Sequence, residues 1–480
     1  MMRRSALILY ALFSTIIASD VYAQDNPPSR QQLEVAHYEL PAVTFEGPRV
    51  TVELEDSLSR ALQRNLGLLV EAVAPRLRYR ELVEQRAAFD LEVFAEVTNT
   101  DIHEQVETSR RFFIDSDATD SRFLDAETGI RQKWSTGAEV ELSGSISRVD
   151  FDDNAAAREF DLSDLPEDIR PAFEEVFSRF AGGQTRTTEY EAVGTVSLTQ
   201  PLLKDFGPAV NRKDIKQADN ELERARYLLS RAAESLLYQV ELAYWELVFA
   251  HQDLRIKNLS LQLARDLLRT NRARQRVGAA PPLDVLDTEA NVARREEELI
   301  QARNRLRDRE DMLRQLLNVP AEDWDTTLLP QDKPVFEPVE LEVKAAVRQA
   351  LLYRPDYQAE LLNLSNRRID VDYTRNQRLP RLDIFGAASV HGLESSPSDA
   401  FDTAAEREFN TLTAGAVFQY PLGNRAARSR HESSQLELEQ TELGLQDLEL
   451  TIRREVREAV RQVLTDSKRV QATRKARVFE

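Results

Sequence analysis

Along the middle of the chain the apolar positions recur in alternating steps of four and three. Leu229, Ala233, Leu236, Val240, Ala243, Leu247, Ala250 and Leu254 keep that spacing, and Leu261, Ala264 and Leu268 resume it. This is the seam of a coiled coil. Residues 211–277 contain neither Pro nor Gly, and a helix of that length spans roughly 100 Å at 1.5 Å per residue. Gly207-Pro208 stands before it and Gly278-Ala279-Ala280-Pro281-Pro282 after it, so breakers mark both ends. A second helix over 283–318 then runs back until Pro320 stops it. The pattern predicts a long antiparallel helical hairpin over 207–319, with its tip near Gly278.

On either side the period falls from 3.6 to two. Phe89, Leu91, Val93, Ala95 and Val97 alternate with polar or outward neighbours; so do Ala138, Val140, Leu142, Gly144 and Ile146, and again Tyr190, Ala192, Gly194, Val196 and Leu198. Such segments are half-exposed strands, either of a sheet with one wet face or of a transmembrane β-barrel, apolar outward and polar inward. Their place between helices too long for a sheet-covered globule favours the barrel. Helices that arrive and leave on one side of a membrane require an even number of crossings between them. Either Gly129 to Trp134 supplies a fourth, turning through Ser135-Thr136-Gly137 into the Ala138 segment, or one of the three segments lies outside the membrane. Region 89–206 is therefore read as strands, with an extracellular insert over 149–188 that includes a short helix around Pro166 to Phe180. Asp150, Asp152, Asn154 and Asp161 in it have calcium-loop spacing, but Ala155 stands where that loop demands Gly, and a solvated acidic loop is the better reading.

The arrangement then repeats. The amphipathic start at 51–88, with Ala61-Leu62, is echoed over 341–379 by Ala350-Leu351, after a Pro-rich linker at 320–340. Alternation returns in Leu382, Ile384, Gly386, Ala388 and Val390 and in Leu412, Ala414, Ala416, Phe418 and Tyr420, giving strands over 380–423. The exit Gln200-Pro201-Leu202 is echoed by Gln419-Tyr420-Pro421-Leu422. A long helix follows over 424–480. Aligning Val240 on Val456 puts the counterpart of Gly278 beyond residue 480, so the second hairpin is expected to be truncated.

Composition narrows the function. Arg3 and Arg4 before an apolar run from Ala6 to Ala18, with Val21-Tyr22-Ala23 after it, read as a secretory signal peptide over 1–23, followed by an extended leader over 24–50. A net charge of -19 argues against a nucleic-acid partner. There is no Cys, which removes disulfides, thiol catalysis and Cys-based zinc sites. His37, His103, His251, His391 and His431 are scattered without an HExxH pair, and no phosphate-binding loop is present, so neither an enzyme nor a cofactor is expected. Trp134, Tyr190 and Tyr420, near strand ends, suit membrane interfaces.

Helices, strands and a helical hairpin, twice over behind a signal peptide, resemble the outer-membrane efflux protein family, the TolC-type ducts. The resemblance covers residues 51–480 and rests on Leu54-Glu55-Asp56-Ser57-Leu58 with Ala61-Leu62 and Asn65, on Gln200-Pro201-Leu202-Leu203, on the segment from Val240 to Leu247, and on Arg276-Val277-Gly278 leading to Leu283-Asp284-Val285-Leu286. It implies a mainly α chain with β: long antiparallel coiled-coil hairpins plus strands lent to a shared transmembrane β-barrel, built as two internal repeats. It further implies a homotrimer, four barrel strands per protomer, and a passive exit duct for efflux or type I secretion, located in the outer membrane with a periplasmic helical tunnel. An inner-membrane pump would feed it through a periplasmic adaptor protein docking at Val277, Gly278 and Ala279. Asp284, with Asp287 one turn on, falls where the family holds its inner end shut. The additional alternating segment around Ala138 departs from the two strands per repeat. The rival reading is a structural coiled-coil protein of the cell envelope that transports nothing.

Overall fold

The computed structural model describes residues 49–105, 118–152, 166, 169–172, 187–338 and 340–479. The expected signal peptide, nearly all of the leader and most of the insert, including Asn154 and Asp161, lie outside them.

In chain order the elements begin with β1 (Arg49–Val52), α1 (Leu54–Arg64), α2 (Leu66–Glu71) and α3 (Val73–Ala87). Four strands follow: β2 (Glu92–Gln105), β3 (Ala118–Lys133), β4 (Glu139–Asp152) and β5 (Thr187–Pro201). The short α4 (Pro208–Asn211) leads into α5 (Lys213–Arg276), and α6 (Pro282–Leu316) returns. After a 3-10 turn, Ala321–Asp323, come β6 (Thr327–Pro330), α7 (Val343–Tyr353), α8 (Pro355–Asn376), β7 (Arg381–Glu394), α9 (Pro397–Glu406), β8 (Phe409–Gln419) and α10 (Arg425–Phe479).

Two compact units result. The smaller holds most of the two-stranded sheet of β1 and β6, so the expected linker carries a strand. The larger holds everything else described, the long helices and the main sheet together.

The hairpin follows the seam. In α5, Leu236, Val240, Ala243, Leu247, Ala250, Leu261 and Ala264 are buried, and α6 packs on it with Leu299, Ala302, Leu306, Leu313 and Leu316 buried. At 64 residues α5 is about 96 Å long. Ion pairs bridge the two helices at Glu246–Arg309 (3.0 Å), Asp253–Arg305 (2.9 Å), Lys257–Glu298 (2.9 Å), Arg265–Glu296 (2.6 Å) and Arg272–Glu289 (2.6 Å). Most of these groups are well exposed, so the pairs add little to stability.

The break after α1 comes from Asn65. Its backbone N–H closes the last turn on Ala61 O, its Oδ1 caps α2 by accepting the Leu68 N–H (3.0 Å), and its Nδ2 donates to Leu316 O at the end of α6 (3.0 Å). The break between α7 and α8 falls at Arg354 with the same backbone shape, φ -62° and ψ 122° against -61° and 120° at Asn65. Both preceding helices are 11 residues long.

A buried phenol closes the core at this level. Tyr244, fully buried beside Val240 and Leu247, donates to Asp332 Oδ2 (2.5 Å) and lies 3.1 Å from Val52 O. Asp332 Oδ2 also accepts the Leu54 N–H at the start of α1 (2.8 Å). Burial, then the bond to Asp332, pushes the Tyr244 phenol up to about 12. The same hydrogen bond, with that from Leu54, holds the Asp332 carboxyl below the usual carboxylate range.

The six-stranded sheet has the order β2-β3-β4-β5-β7-β8, antiparallel throughout. It is open, with β2 and β8 at its edges, and does not close on itself. This corrects two expectations. The first strand starts at Glu92, with Phe89 and Asp90 in a turn, and the segment at Gly129 is the end of a 16-residue strand that begins at Ala118. The count is thus four strands before the hairpin and two after it, six against the four that the resemblance implies.

Candidate functional site

Three features carry chemistry: the two faces of the sheet, the helix laid on one of them, and the hairpin tip.

Strand alternation puts one kind of residue on each face. Registered cross-strand rows run Val93–Ile130–Leu142–Val196–Ala388–Leu412 and Val97–Ala126–Ile146–Ala192–Gly392 on one side. The neighbouring rows, on the other side, run Glu92–Arg131–Glu141–Ser197–Ala387–Thr413 and Phe94–Gly129–Ser143–Thr195–Ser389–Thr411. On the polar side Arg131 Nε meets Glu141 Oε2 (2.8 Å), and the Thr195 and Ser389 hydroxyls are 3.1 Å apart. Large apolar side chains stand uncovered on the first side, among them Val97 (72 % exposed) and Leu412 (82 %). An apolar face this wide is unfavourable in water, whereas lipid suits it. Among the described residues no helix is long and apolar enough to cross a membrane.

The helices that precede β2 and β7 and those that follow β5 and β8 join the sheet at one end. Amides lock that junction: Asn376 donates to Leu203 O (3.0 Å) and accepts the Asp205 N–H (2.8 Å), and Asn424 donates to Arg378 O (2.9 Å). At the opposite end α9 folds back onto the apolar face. Ala400 and Ala404 pack on Ala192, with Tyr190 against them. Gly392 makes room for this helix, since a Cβ there would lie 2.0 Å from Ala400 O. Tyr190 therefore sits at the far end of the sheet, while Trp134 and Tyr420 lie at the helix end. Asp150, the first of the calcium-spaced residues, is already held by Arg148 (3.0 Å) and the Thr188 hydroxyl (2.6 Å), and no metal-holding group of carboxylates and His exists among the described residues.

At the tip, Val277, Gly278 and Ala279 form one exposed turn. Gly278 has φ 76°, a left-handed conformation that ends α5 by donating its N–H to Gln275 O (2.9 Å), while the Ala279 N–H reaches Arg274 O (2.8 Å). Nothing lies within 4 Å of a Cβ built at Gly278, and Val277 is 78 % exposed. Leu283 and Leu286 are exposed on the first turns of α6, whereas Val285 is buried. Asp284 and Asp287 are exposed, and neither has an ion-pair partner among the described residues. Val277, Gly278 and Ala279 are thus neighbours in one turn, with Asp284 and Asp287 on the helix that follows.

Residues 171–319, which include β5, the whole hairpin and its tip, match the family described as Outer membrane efflux protein. Over the hairpin and the strand before it the chain is thus similar to that family. The fold recurs among solved structures: the outer-membrane channel OprN (15 % identity, TM-score 0.58, 87 % of this chain and 75 % of that one), VceC from Vibrio cholerae (14 %, 0.56, 88 % and 82 %) and the Campylobacter jejuni CmeC outer membrane channel (15 %, 0.53, 87 % and 71 %). At these identities the likeness establishes the fold. No curated protein matches the sequence. Sequence reasoning missed the Tyr244–Asp332 knot, α9 and the first half of β3. The last had a signal in Arg122, which lies opposite Asp101 and bonds it (2.6 Å).

Proposed function

We propose that the chain is one protomer of a homotrimeric, passive exit duct in the outer membrane. The observation that carries this is the open sheet, apolar on one face and polar on the other, set on one end of a helix about 96 Å long. Lipid tolerates no bare strand edge, so the sheet becomes a membrane wall only when sister copies close it into a barrel. Its polar face then lines the bore, and the two halves of the chain act as repeats around it. The long helices extend into the periplasm as a tunnel.

With no energy-coupling motif of its own, the duct receives substrate from an inner-membrane pump, for efflux or type I secretion, through a periplasmic adaptor. Val277, Gly278 and Ala279 are the docking turn, exposed and free of any covering side chain. Asp284 and Asp287 belong to the gate at the same end. The structural coiled-coil alternative leaves the apolar sheet face without a purpose.

The protein is expected to fractionate with outer membranes, to run as a trimer when unboiled and to conduct ions in planar bilayers. A soluble monomer that conducts nothing would overturn the reading. Gly278→Arg should abolish efflux with the trimer intact; unchanged efflux would move docking away from the tip.

A further inference from the structure

The sheet has six strands against the four per protomer that the family resemblance implies, and the hairpin at its first-half edge is β2–β3. We infer that this hairpin is part of the membrane wall, so that β8 of each protomer pairs with β2 of the next and three copies close a barrel of eighteen strands. The inference rests on the trimeric duct reading.

Four observations support it. First, β2 and β3 continue the rows of the other strands without a break in register over 14 pairs. Second, they share the apolar face: Val93, Val97, Leu124 and Ile130 are exposed on the side that carries Leu142, Val196 and Leu412. A flap standing clear of lipid has no use for them. Third, β8 (FNTLTAGAVFQ) is an unprotected edge, with no Pro and no charge, and β2, which carries Glu92, Glu96, Asp101 and Glu104, has no Pro, Lys or Arg. An edge without such devices invites strand addition. Fourth, the directions agree, since β2 runs away from the helical end and β8 runs toward it, so β8 meets β2 of a copy placed beside it antiparallel. No like charges oppose one another there, because Glu92 and Glu96 of β2 face a strand without carboxylates.

The occupant of each edge is therefore a second copy of this chain. With strands ~4.8 Å apart and tilted ~40°, eighteen strands enclose a backbone cylinder ~36 Å across, against ~24 Å for twelve.

The chain has no Cys, so paired substitutions report cleanly. Leu412→Cys on β8 is combined in turn with Cys at Val93, Ala95, Val97 or Asn99 on β2, and separately at Leu142, Gly144 or Ile146 on β4. Oxidised outer membranes are expected to give a ladder up to three linked chains from a β2 position and none from β4. Links to β4 within an intact trimer would show a wall from which the β2–β3 hairpin is excluded, overturning the inference and leaving the duct reading in place. Projection images of the detergent-solubilised trimer decide the case without cross-links: a ring ~36 Å across supports the inference and one ~24 Å across defeats it. A protein that is monomeric before oxidation defeats both readings.

Discussion

The two ends of α5 are packed by different physics. From Leu236 to Ala264 it presents a nearly unbroken row of buried Leu, Val and Ala to its neighbours. From Lys213 to Arg231, where only Leu222 and Ala225 are buried apolar residues, it meets α8 largely through amides and charges. Gln217 Nε2 donates to Asp370 Oδ1 (2.9 Å) and Asn366 O (3.3 Å), Asn220 Nδ2 to Asn366 Oδ1 (2.7 Å), and Asn366 Nδ2 to Glu221 Oε1 (2.9 Å). Lys213 pairs with Asp370 (3.1 Å) and lies over the Tyr373 ring (4.5 Å), and Arg231 pairs with Asp356. An apolar heptad seam tolerates a slip of seven residues, because Leu replaces Leu. A chain of oriented amides does not, since each donor then misses its acceptor. The apolar half thus supplies cohesion, and the polar half next to the sheet supplies register.

If that division is right, truncation in the apolar half should cost most. Leu247→Ala, at a fully buried position, is expected to lose about 2–5 kcal/mol, read as a fall in the denaturation midpoint while helix content at low temperature is kept. Asn366→Leu removes the centre of the amide chain and leaves Asn220 and Glu221 without it, an expected loss of about 1–3 kcal/mol. Its distinguishing sign is heterogeneity: a spin-label pair placed across α5 and α8 should show a broadened distance distribution, which Leu247→Ala should not. A sharp distribution in Asn366→Leu would refute the register role.

Tyr244 is the polar exception inside the apolar half. Tyr244→Phe keeps the ring and loses the hydroxyl, with an expected cost of about 1 kcal/mol. Its pH behaviour is more telling. The folded Asp332 carboxyl is depressed, so its contribution to stability is present above the unfolded value near 4 and is lost as pH falls through the lower folded value. The Tyr244 phenol is raised, so its contribution is complete below pH ~10 and is lost as pH rises toward about 12. Thermal midpoints against pH should therefore drop at both ends in the parent, and Tyr244→Phe should flatten the alkaline limb. Smallest of all, Arg272→Ala breaks an exposed pair with Glu289 and should change stability by no more than about 0.5 kcal/mol, an effect that 1 M salt should erase.

The contrast also explains what could be read from the chain beforehand. The apolar seam was legible because each of its residues repeats a local period; every listed Leu, Val and Ala from Leu229 to Leu268 is buried or half-buried. The tip was legible through Gly278 and the prolines after it. β3 is legible only at its C-terminal end, because Arg122 puts a charge on the face that Leu124, Ala126 and Ile130 make apolar, and it finds its partner, Asp101, only beside β2. The Tyr244–Asp332 bond spans 88 residues and leaves no local trace. Likewise α9, a ten-residue helix, has its reason in Gly392, on a strand that was identified without regard to what lies over it.

Because the helices that precede β2 and β7 and those that follow β5 and β8 all meet the sheet at the same end, each half of the chain makes a whole number of round trips through it, two in the first half and one in the second. A sheet of this kind is enlarged or reduced one hairpin at a time, since a lone strand more or less would deliver the next long helix to the opposite end.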